Sequence, residues 1–281
     1  MTRREFYKNI CRLAEPIYGS REASQIGWMI AQELLGWSRM ELLLSPDVEC
    51  GVTDVEAQRI LTDVEAGRPV QYIIGEADFC DLRLRVREVV LIPRPESEEL
   101  IRWVVSEAVG SGKILDVGTG SGALAIALSV ALPNYSVTAL EVSEEAIAIA
   151  SENIERLAPK VKILRGDALQ GVENYTSQSY DIIVSNPPYI PQREQSDMRI
   201  NVTKYEPHLA LFVPDDDPLL FYRKIAQSAQ RLLTQSGALY FEIHENFATQ
   251  TKEMLHGEGF QNVVIRLDIN DKARMICAQR E

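Results

Sequence analysis

Asn186-Pro187-Pro188-Tyr189 is the stretch whose residue types point most directly to chemistry. It follows Tyr180-Asp181-Ile182-Ile183-Val184-Ser185, an apolar, β-branched run that reads as a buried strand. The tetrapeptide then sits at a strand's carboxyl end, where open α/β sheets bind ligands. Two prolines there fix the backbone and remove two N–H donors that would otherwise need partners. A rigid set of acceptors is left. The Asn186 side-chain carbonyl and the Pro187 backbone carbonyl can both receive hydrogen bonds from a planar –NH2 group, and the face of Tyr189 can stack on it. The plainer alternative is a strand ending in a proline-stiffened turn.

A second motif precedes it. Lys113-Ile114-Leu115-Asp116-Val117 reads as a strand, Gly118-Thr119-Gly120-Ser121-Gly122 as a loop, and Ala123 to Leu128 as the start of a helix. That order opens a doubly wound nucleotide-binding fold, with glycines that let the backbone approach a ligand closely. The next strand, Ser136 to Leu140, ends at Glu141, an acidic residue about 20 positions on that can accept both hydroxyls of a ribose. The Gly-x-Gly-x-Gly spacing differs from the dinucleotide form and favours a ligand with adenosine but no pyrophosphate. Gly166-Asp167-Ala168 ends a third strand, where Asp167 can accept an adenine amino group and the Ala168 N–H can meet a ring nitrogen; Asp after Gly is also a common turn.

An adenosyl site on the first two strands and an amine cradle on the fourth resemble the class I S-adenosylmethionine-dependent methyltransferases. Within these, Asn-Pro-Pro-Tyr is similar to the amino methyltransferases, which act on exocyclic amines of bases or on glutamine amides. Three further stretches are Gly67 to Gly75, Leu91-Ile92-Pro93-Arg94-Pro95-Glu96-Ser97-Glu98, and Tyr205-Glu206-Pro207-His208-Leu209-Ala210-Leu211. In this order they resemble the PrmC/HemK family, which methylates the glutamine of the Gly-Gly-Gln tripeptide in peptide chain release factors, and the likeness covers nearly the whole chain. It implies S-adenosylmethionine as the sole cofactor. The glycine loop, Glu141, Asp167, Ala168 and Asn186 would then face the cofactor, Arg94 would lie beside it, and Asn186, Pro187, Pro188 and Tyr189 would hold the substrate. For Arg94 the structural alternative is an ion pair with Glu96 or Glu98. The chain departs from the family pattern at Glu141, where Asp is more usual, at Ser97, where Thr is, and in the loop before Arg274, which lacks a glycine.

The implied fold class is α/β: a class I, Rossmann-like, seven-stranded S-adenosylmethionine methyltransferase domain with a small N-terminal helical domain. Residues 1–75 read as four or five short helices. Phe6, Ile10, Leu13 and Ile17 recur at helical intervals, Ser20 precedes a second helix carrying Ile26, Ile30 and Leu34, and capping boxes run from Ser38 to Glu41 and from Thr53 to Glu56. By spacing alone this domain is a stabilising cap; in the family it helps hold the release factor. Residues 76–95 are expected to form a hairpin linker, with the alternating Asp81 to Arg87 paired to Val89-Val90-Leu91-Ile92. Its arginine face is either solvated or a site for an acidic partner. Residues 96–281 then carry strands near 113–117, 136–141, 161–165, 180–185 and 238–243, and a final hairpin from Asn262 to Leu267 and from Arg274 to Ala278.

The 281 residues fit about two domains. A net charge of −12 disfavours a protein that grips long nucleic acid, because such binding relies on neutralised phosphates, and suits a basic partner instead. Residues 1–75 add no basic clamp, since their charges sum to −3. No apolar run approaches a membrane span of about 20 residues, and Met1 to Phe6 resembles neither a signal nor a transit peptide. A cytoplasmic location without membrane or DNA partners is expected. Cys11, Cys50, Cys80 and Cys277 are far apart and form no CxxC pair, so reduced thiols and no metal site are expected. His208 and His244 read as packing or hydrogen-bonding residues. The rival readings are a ribosomal-protein glutamine methyltransferase, a DNA or RNA amino methyltransferase, and a non-catalytic adenosyl-binding scaffold.

Overall fold

In a computed structural model, which describes residues 1–280, the chain divides into two units. Met1–Glu76 groups with Arg199–Tyr205, and Ala77–Met198 groups with the chain from Glu206 onward. Helices α1 (Arg3–Met29), α2 (Arg39–Leu44), α3 (Asp54–Glu65) and α4 (Val70–Ile74) build the first unit. Thr2 and Glu5 cap α1 reciprocally, as Ser38 and Glu41 cap α2, whereas at α3 the recorded cap bond is from the Glu56 N–H to the Thr53 hydroxyl. As expected, the span of α1 is two helices that meet just before Ser20, where Gly19, with φ of 78° and ψ of 162°, breaks the helical path. Its core stripe is Phe6, Ile10 and Ala14, with Ile17 left exposed. A π-helical turn follows at Ile30–Leu34. Arg199 reaches back to Glu22, and the Tyr205 hydroxyl donates to the Ala66 carbonyl.

The second unit begins as a hairpin of β1 (Glu76–Phe79) and β2 (Leu82–Arg85). This corrects the expected pairing of 81–87 with 89–92. Cys80 and Asp81 both adopt positive φ, 50° and 60°, which is the two-residue turn that matches strand twist, so β2 folds back on the preceding residues. Val89 to Leu91 instead form part of a cavity wall. The arginine face is paired locally, with Arg83 beside Asp78 and both Arg85 and Arg87 on Glu152.

Helix α5 (Pro95–Glu107) leads into β3 (Gly112–Val117), α6 (Ala123–Ala131), β4 (Tyr135–Glu141), α7 (Glu144–Leu157) and β5 (Lys162–Arg165). The chain continues through β6 (Tyr180–Ser185), the short β7 (Ile190–Pro191), α8 (Ile200–Tyr205, in the first unit), α9 (His208–Leu211) and β8 (Phe212–Val213). It ends with α10 (Leu220–Leu232), β9 (Leu233–Glu242), α11 (Ala248–Gly257), β10 (Phe260–Leu267) and β11 (Ala273–Arg280). Seven strands form one sheet in the order β5-β4-β3-β6-β9-β11-β10, parallel through β9 and antiparallel at β11 and β10.

Strand alternation divides the core in two. Ile114, Val137, Ile182 and Tyr240 pack with α5, α6 and α7, whereas Leu115, Leu140, Ile183 and Phe241 pack with α10 and α11. Burial on both faces explains why these strands read as continuous apolar runs. The strand order reverses between β3 and β6, so their carboxyl ends border a crevice. The Ser185 hydroxyl donates to the Val117 carbonyl at 2.6 Å and ties the two ends together. No helix among the described residues is long and apolar enough to cross a membrane.

One side chain secures the hairpin to the glycine loop. Asn153, fully buried on α7, accepts the Arg85 N–H at 2.7 Å and donates to the Arg85 and Ser121 carbonyls at 3.0 and 2.9 Å. Asn153→Ala leaves three backbone groups without that partner and should lower the unfolding free energy by about 2–4 kcal/mol. Urea denaturation checks this, and an unchanged midpoint contradicts it.

Candidate active site

A cavity of about 490 Å³ opens at the reversal point, within the range of small-molecule sites. Gly118, Gly120 and Gly122 line the turn after β3 or cap α6, with φ of 76°, 57° and 86°. A side chain there would be strained, and a Cβ at Gly118 or Gly120 would meet no protein atom within 4 Å. Both glycines lie on the cavity wall with Thr119 and Ser121. The Gly118 and Thr119 N–H groups donate to the Leu140 carbonyl, which holds the loop against β4.

Glu141, at the end of β4, is buried and also lines the cavity. Its Oε2 accepts the Gly120 N–H at 2.9 Å, and its Oε1 accepts those of Val142 and Ser143 at 2.9 and 3.0 Å. The longer side chain of Glu is therefore held by three backbone N–H groups, with acceptor capacity remaining on Oε2. Asp167 and Ala168 lie on the same wall, and Asp167 Oδ1 accepts the Leu169 N–H at 2.9 Å.

Asn186, Pro187 and Pro188 follow β6 onto this wall. Asn186 Nδ2 donates to the Ser97 hydroxyl at 3.2 Å, which in turn donates to Glu242 Oε2. Among the described residues no hydrogen-bond donor is recorded for Asn186 Oδ1 or for the Pro187 carbonyl. Tyr189 departs from expectation. Its ring is not part of the cavity wall; the hydroxyl donates to Glu242 Oε1 at 3.1 Å, and the ring meets His244 edge-on. A buried carboxylate nearby is a better partner for a phenol than an open cavity. Burial and the Glu242 charge push the Tyr189 hydroxyl well above the usual tyrosine range.

Arg94 lines the cavity too, but its partner is Glu206 and neither Glu96 nor Glu98. Glu206 is buried and accepts the Ile92 N–H through its other oxygen at 3.3 Å. The His208 ring lies edge-on to Phe212 at the cavity wall. His244 accepts the Asn246 N–H on Nδ1, so Nε2 carries the proton that Glu194 receives at 3.0 Å. Among the described residues no group of His, Cys, Asp and Glu could hold a metal ion.

Sequence reasoning gave no role to Asp116 or Glu242, and recorded Ser97 only as a replacement. An acid at or next to the end of an apolar strand was the available signal, with Glu242 closing β9 and Asp116 one residue short of the end of β3. Asp116 is fully buried, with Oδ2 accepting the Thr119 hydroxyl at 2.6 Å and the Ala125 N–H at 3.1 Å, and with Oδ1 unpaired.

Residues 97–204 match the Methyltransferase small domain family, and residues 17–75 match the PrmC N-terminal domain. The chain is 40% identical to the release factor glutamine methyltransferase of Flavobacterium psychrophilum over 92% of its own length and 93% of that protein's. It is 39% identical to the enzyme of the same description from Bacteroides thetaiotaomicron, over 95% and 96% of the two lengths. The chain belongs to the release factor glutamine methyltransferase family. A methyltransferase from Pyrococcus furiosus, 21% identical, shares the fold with a TM-score of 0.53 over 70% of this chain and 88% of that one.

This family member is an enzyme that uses S-adenosylmethionine, and its residues fit that cofactor. Two glycines leave space where side chains would intrude, a fixed carboxylate retains acceptor capacity, and the cavity is large enough for an adenosyl group.

Burial pushes the Asp116 carboxyl up to about 7, against the pull of the Thr119 hydroxyl and Ala125 N–H, while the Glu141 charge adds to the rise. An unfolded Asp titrates near about 3.9, so the folded chain holds an extra proton between about pH 4 and about pH 7. The stability this provides is complete below that window and is lost as pH rises through it. Between about pH 5 and about pH 8, wild type should lose more unfolding free energy than Asp116→Asn. Parallel pH profiles in urea titrations would contradict the assignment.

Proposed function

We propose that this chain transfers a methyl group from S-adenosylmethionine to the side-chain amide nitrogen, N5, of the glutamine in the Gly-Gly-Gln motif of peptide chain release factors. The observation that carries the reading is the pair of acceptors, Asn186 Oδ1 and the Pro187 carbonyl, left without a recorded donor on the wall of a cavity that the glycine loop also lines. The whole-length similarity to release factor glutamine methyltransferases supports the protein substrate. The helical first unit is assigned to holding the release factor and the second to methyl transfer, with both acting in the cytoplasm.

Gly118, Thr119, Gly120, Ser121 and Gly122 give the cofactor close backbone approach, Glu141 accepts the ribose hydroxyls, and Asp167 with the Ala168 N–H meets the adenine. Arg94 closes the cavity beside it, held by Glu206. The cofactor supplies an electrophilic methyl group on a sulfonium centre.

An amide nitrogen is a poor nucleophile because its lone pair is delocalised into the carbonyl. Asn186 and Pro187 accept the two N–H groups and thereby turn the nitrogen's lone pair out of the hydrogen-bonding plane. As the new C–N bond would form and the methyl–sulfur bond break, positive charge would grow on nitrogen and both N–H groups would become stronger donors, with one of these protons passing to solvent after transfer. The stabilisation from the two acceptors is therefore greatest in the transition state. Pro187 and Pro188 keep the acceptors fixed, and orientation of this kind contributes several kcal/mol. No base need act before transfer. Gly-Gly flanks suit the substrate, because glycines let its backbone come close to Asn186-Pro187-Pro188.

Incubation with S-adenosylmethionine and a release factor should add the mass of one methyl group to that glutamine. Mass spectrometry locates it, and labelling of ribosomal protein or DNA alone would overturn the reading. Asn186→Ala should lose roughly 100-fold in kcat while keeping its affinity for S-adenosylhomocysteine. Glu141→Ala should do the reverse, weakening that affinity by about 1–3 kcal/mol. Calorimetry measures both, and tight NAD binding or an indifferent Glu141→Ala would remove the adenosyl assignment.

A further inference from the structure

An asparagine amide is nearly symmetric in shape and opposite in polarity at its two ends. Turned half a revolution, Asn186 would offer a substrate –NH2 group two N–H donors in place of an acceptor. Its own backbone does not choose between these states. The choice lies in a chain of hydrogen bonds that converges from distant parts of the sequence.

Glu242, 2% exposed at the end of β9, is the fixed point. An ionised carboxylate only accepts. Its Oε2 takes the proton of the Ser97 hydroxyl, so what Ser97 Oγ still offers its other neighbour is a lone pair. Asn186 Nδ2 is the group that meets that lone pair, at 3.2 Å. The reversed amide would set Oδ1 against Ser97 Oγ with no proton between two acceptors, a buried arrangement that forfeits a hydrogen bond. Ser97 is itself 4% exposed, so water has little room to repair the mismatch. The second carboxylate oxygen takes the Tyr189 hydroxyl at 3.1 Å. One carboxylate thus holds both ends of Asn186-Pro187-Pro188-Tyr189.

Burial leaves the Glu242 carboxyl above the usual carboxylate range, and its surroundings offset part of that rise. The Ser97 and Tyr189 hydroxyls and the Arg274 guanidinium on β11 favour the ionised form, while Glu96 on α5 acts against it. The Tyr222 hydroxyl from α10 donates to the Glu242 backbone carbonyl and fixes the strand end that carries the carboxylate.

We propose that Ser97 and Glu242 are positioning residues that set the polarity of the Asn186 amide, so that Oδ1 and not Nδ2 is presented to the substrate's –NH2 group. This rests on the reading of Asn186 as the holder of that group.

Methyl transfer to a release factor is measured under single-turnover conditions, with calorimetric binding of S-adenosylhomocysteine as a check on folding, for Ser97→Ala, Ser97→Thr, Glu242→Gln and Asn186→Ala. Ser97→Ala and Glu242→Gln should each lower the transfer rate about 10-fold or more, the scale of one lost hydrogen bond, with S-adenosylhomocysteine affinity within about threefold of wild type. Ser97→Thr keeps the hydroxyl and should recover most of the loss. In an Asn186→Ala background, Ser97→Ala should cost nothing further, because no amide is left to orient; a merely structural role would multiply the two losses. An unchanged rate in Ser97→Ala, or multiplied losses in the double variant, overturns the inference alone. Near-normal turnover in Asn186→Ala overturns the parent reading and the inference with it. If Glu242→Gln binds no S-adenosylhomocysteine, the Ser97 variants decide.

Discussion

A protein that is to hold an amide –NH2 must keep two acceptors rigid and leave them unpaired until substrate arrives. Folding normally removes such groups, because buried carbonyls find donors. Here the exception is built from two devices. The prolines at 187 and 188 carry no N–H and cannot continue a strand, so the chain leaves β6 with its last acceptors facing a cavity. Asn186 is kept from collapsing onto its neighbours because its donor end is already engaged by Ser97.

That arrangement needs a stable frame. The parallel sheet provides it, with β3 and β6 adjacent at the point where strand order reverses. Ser185 locks their ends together, Glu141 clamps the glycine loop from β4, and Asn153 joins that loop to the hairpin ahead of α5. In each case a polar side chain bonds backbone groups that have left regular secondary structure. The glycine loop and the Asn186-Pro187 turn are therefore fixed to adjacent strand ends, as an in-line transfer between the sites proposed for them requires.

The sheet strands were legible because each is buried on both faces and so reads as an apolar run of strand length. The glycine loop and the turn at Asn186 were legible as loops because they are made of residues with unusual backbone properties. Two things were not. The true partner of β2 was hidden because Cys80 and Asp81 make a turn usually signalled by Asn-Gly, while Val89 to Ile92 looked like a strand and serves partly as cavity wall. Ser97 and Glu242 were hidden because they meet across 145 positions of sequence, a distance over which spacing carries no information. The place of Tyr189 off the cavity wall was hidden for a related reason, since the carboxylate that takes its hydroxyl proton lies 53 positions further on.

The central claim is that Asn186 Oδ1 and the Pro187 carbonyl together hold the target amide. A crystal structure of the chain with S-adenosylhomocysteine and a release factor bearing Gly-Gly-Gln tests it most directly. The account requires the glutamine amide nitrogen to lie within about 3 Å of both oxygens, with Asn186 Nδ2 still on Ser97. A glutamine amide bound elsewhere in the cavity, or an Asn186 reversed to present Nδ2, would contradict it.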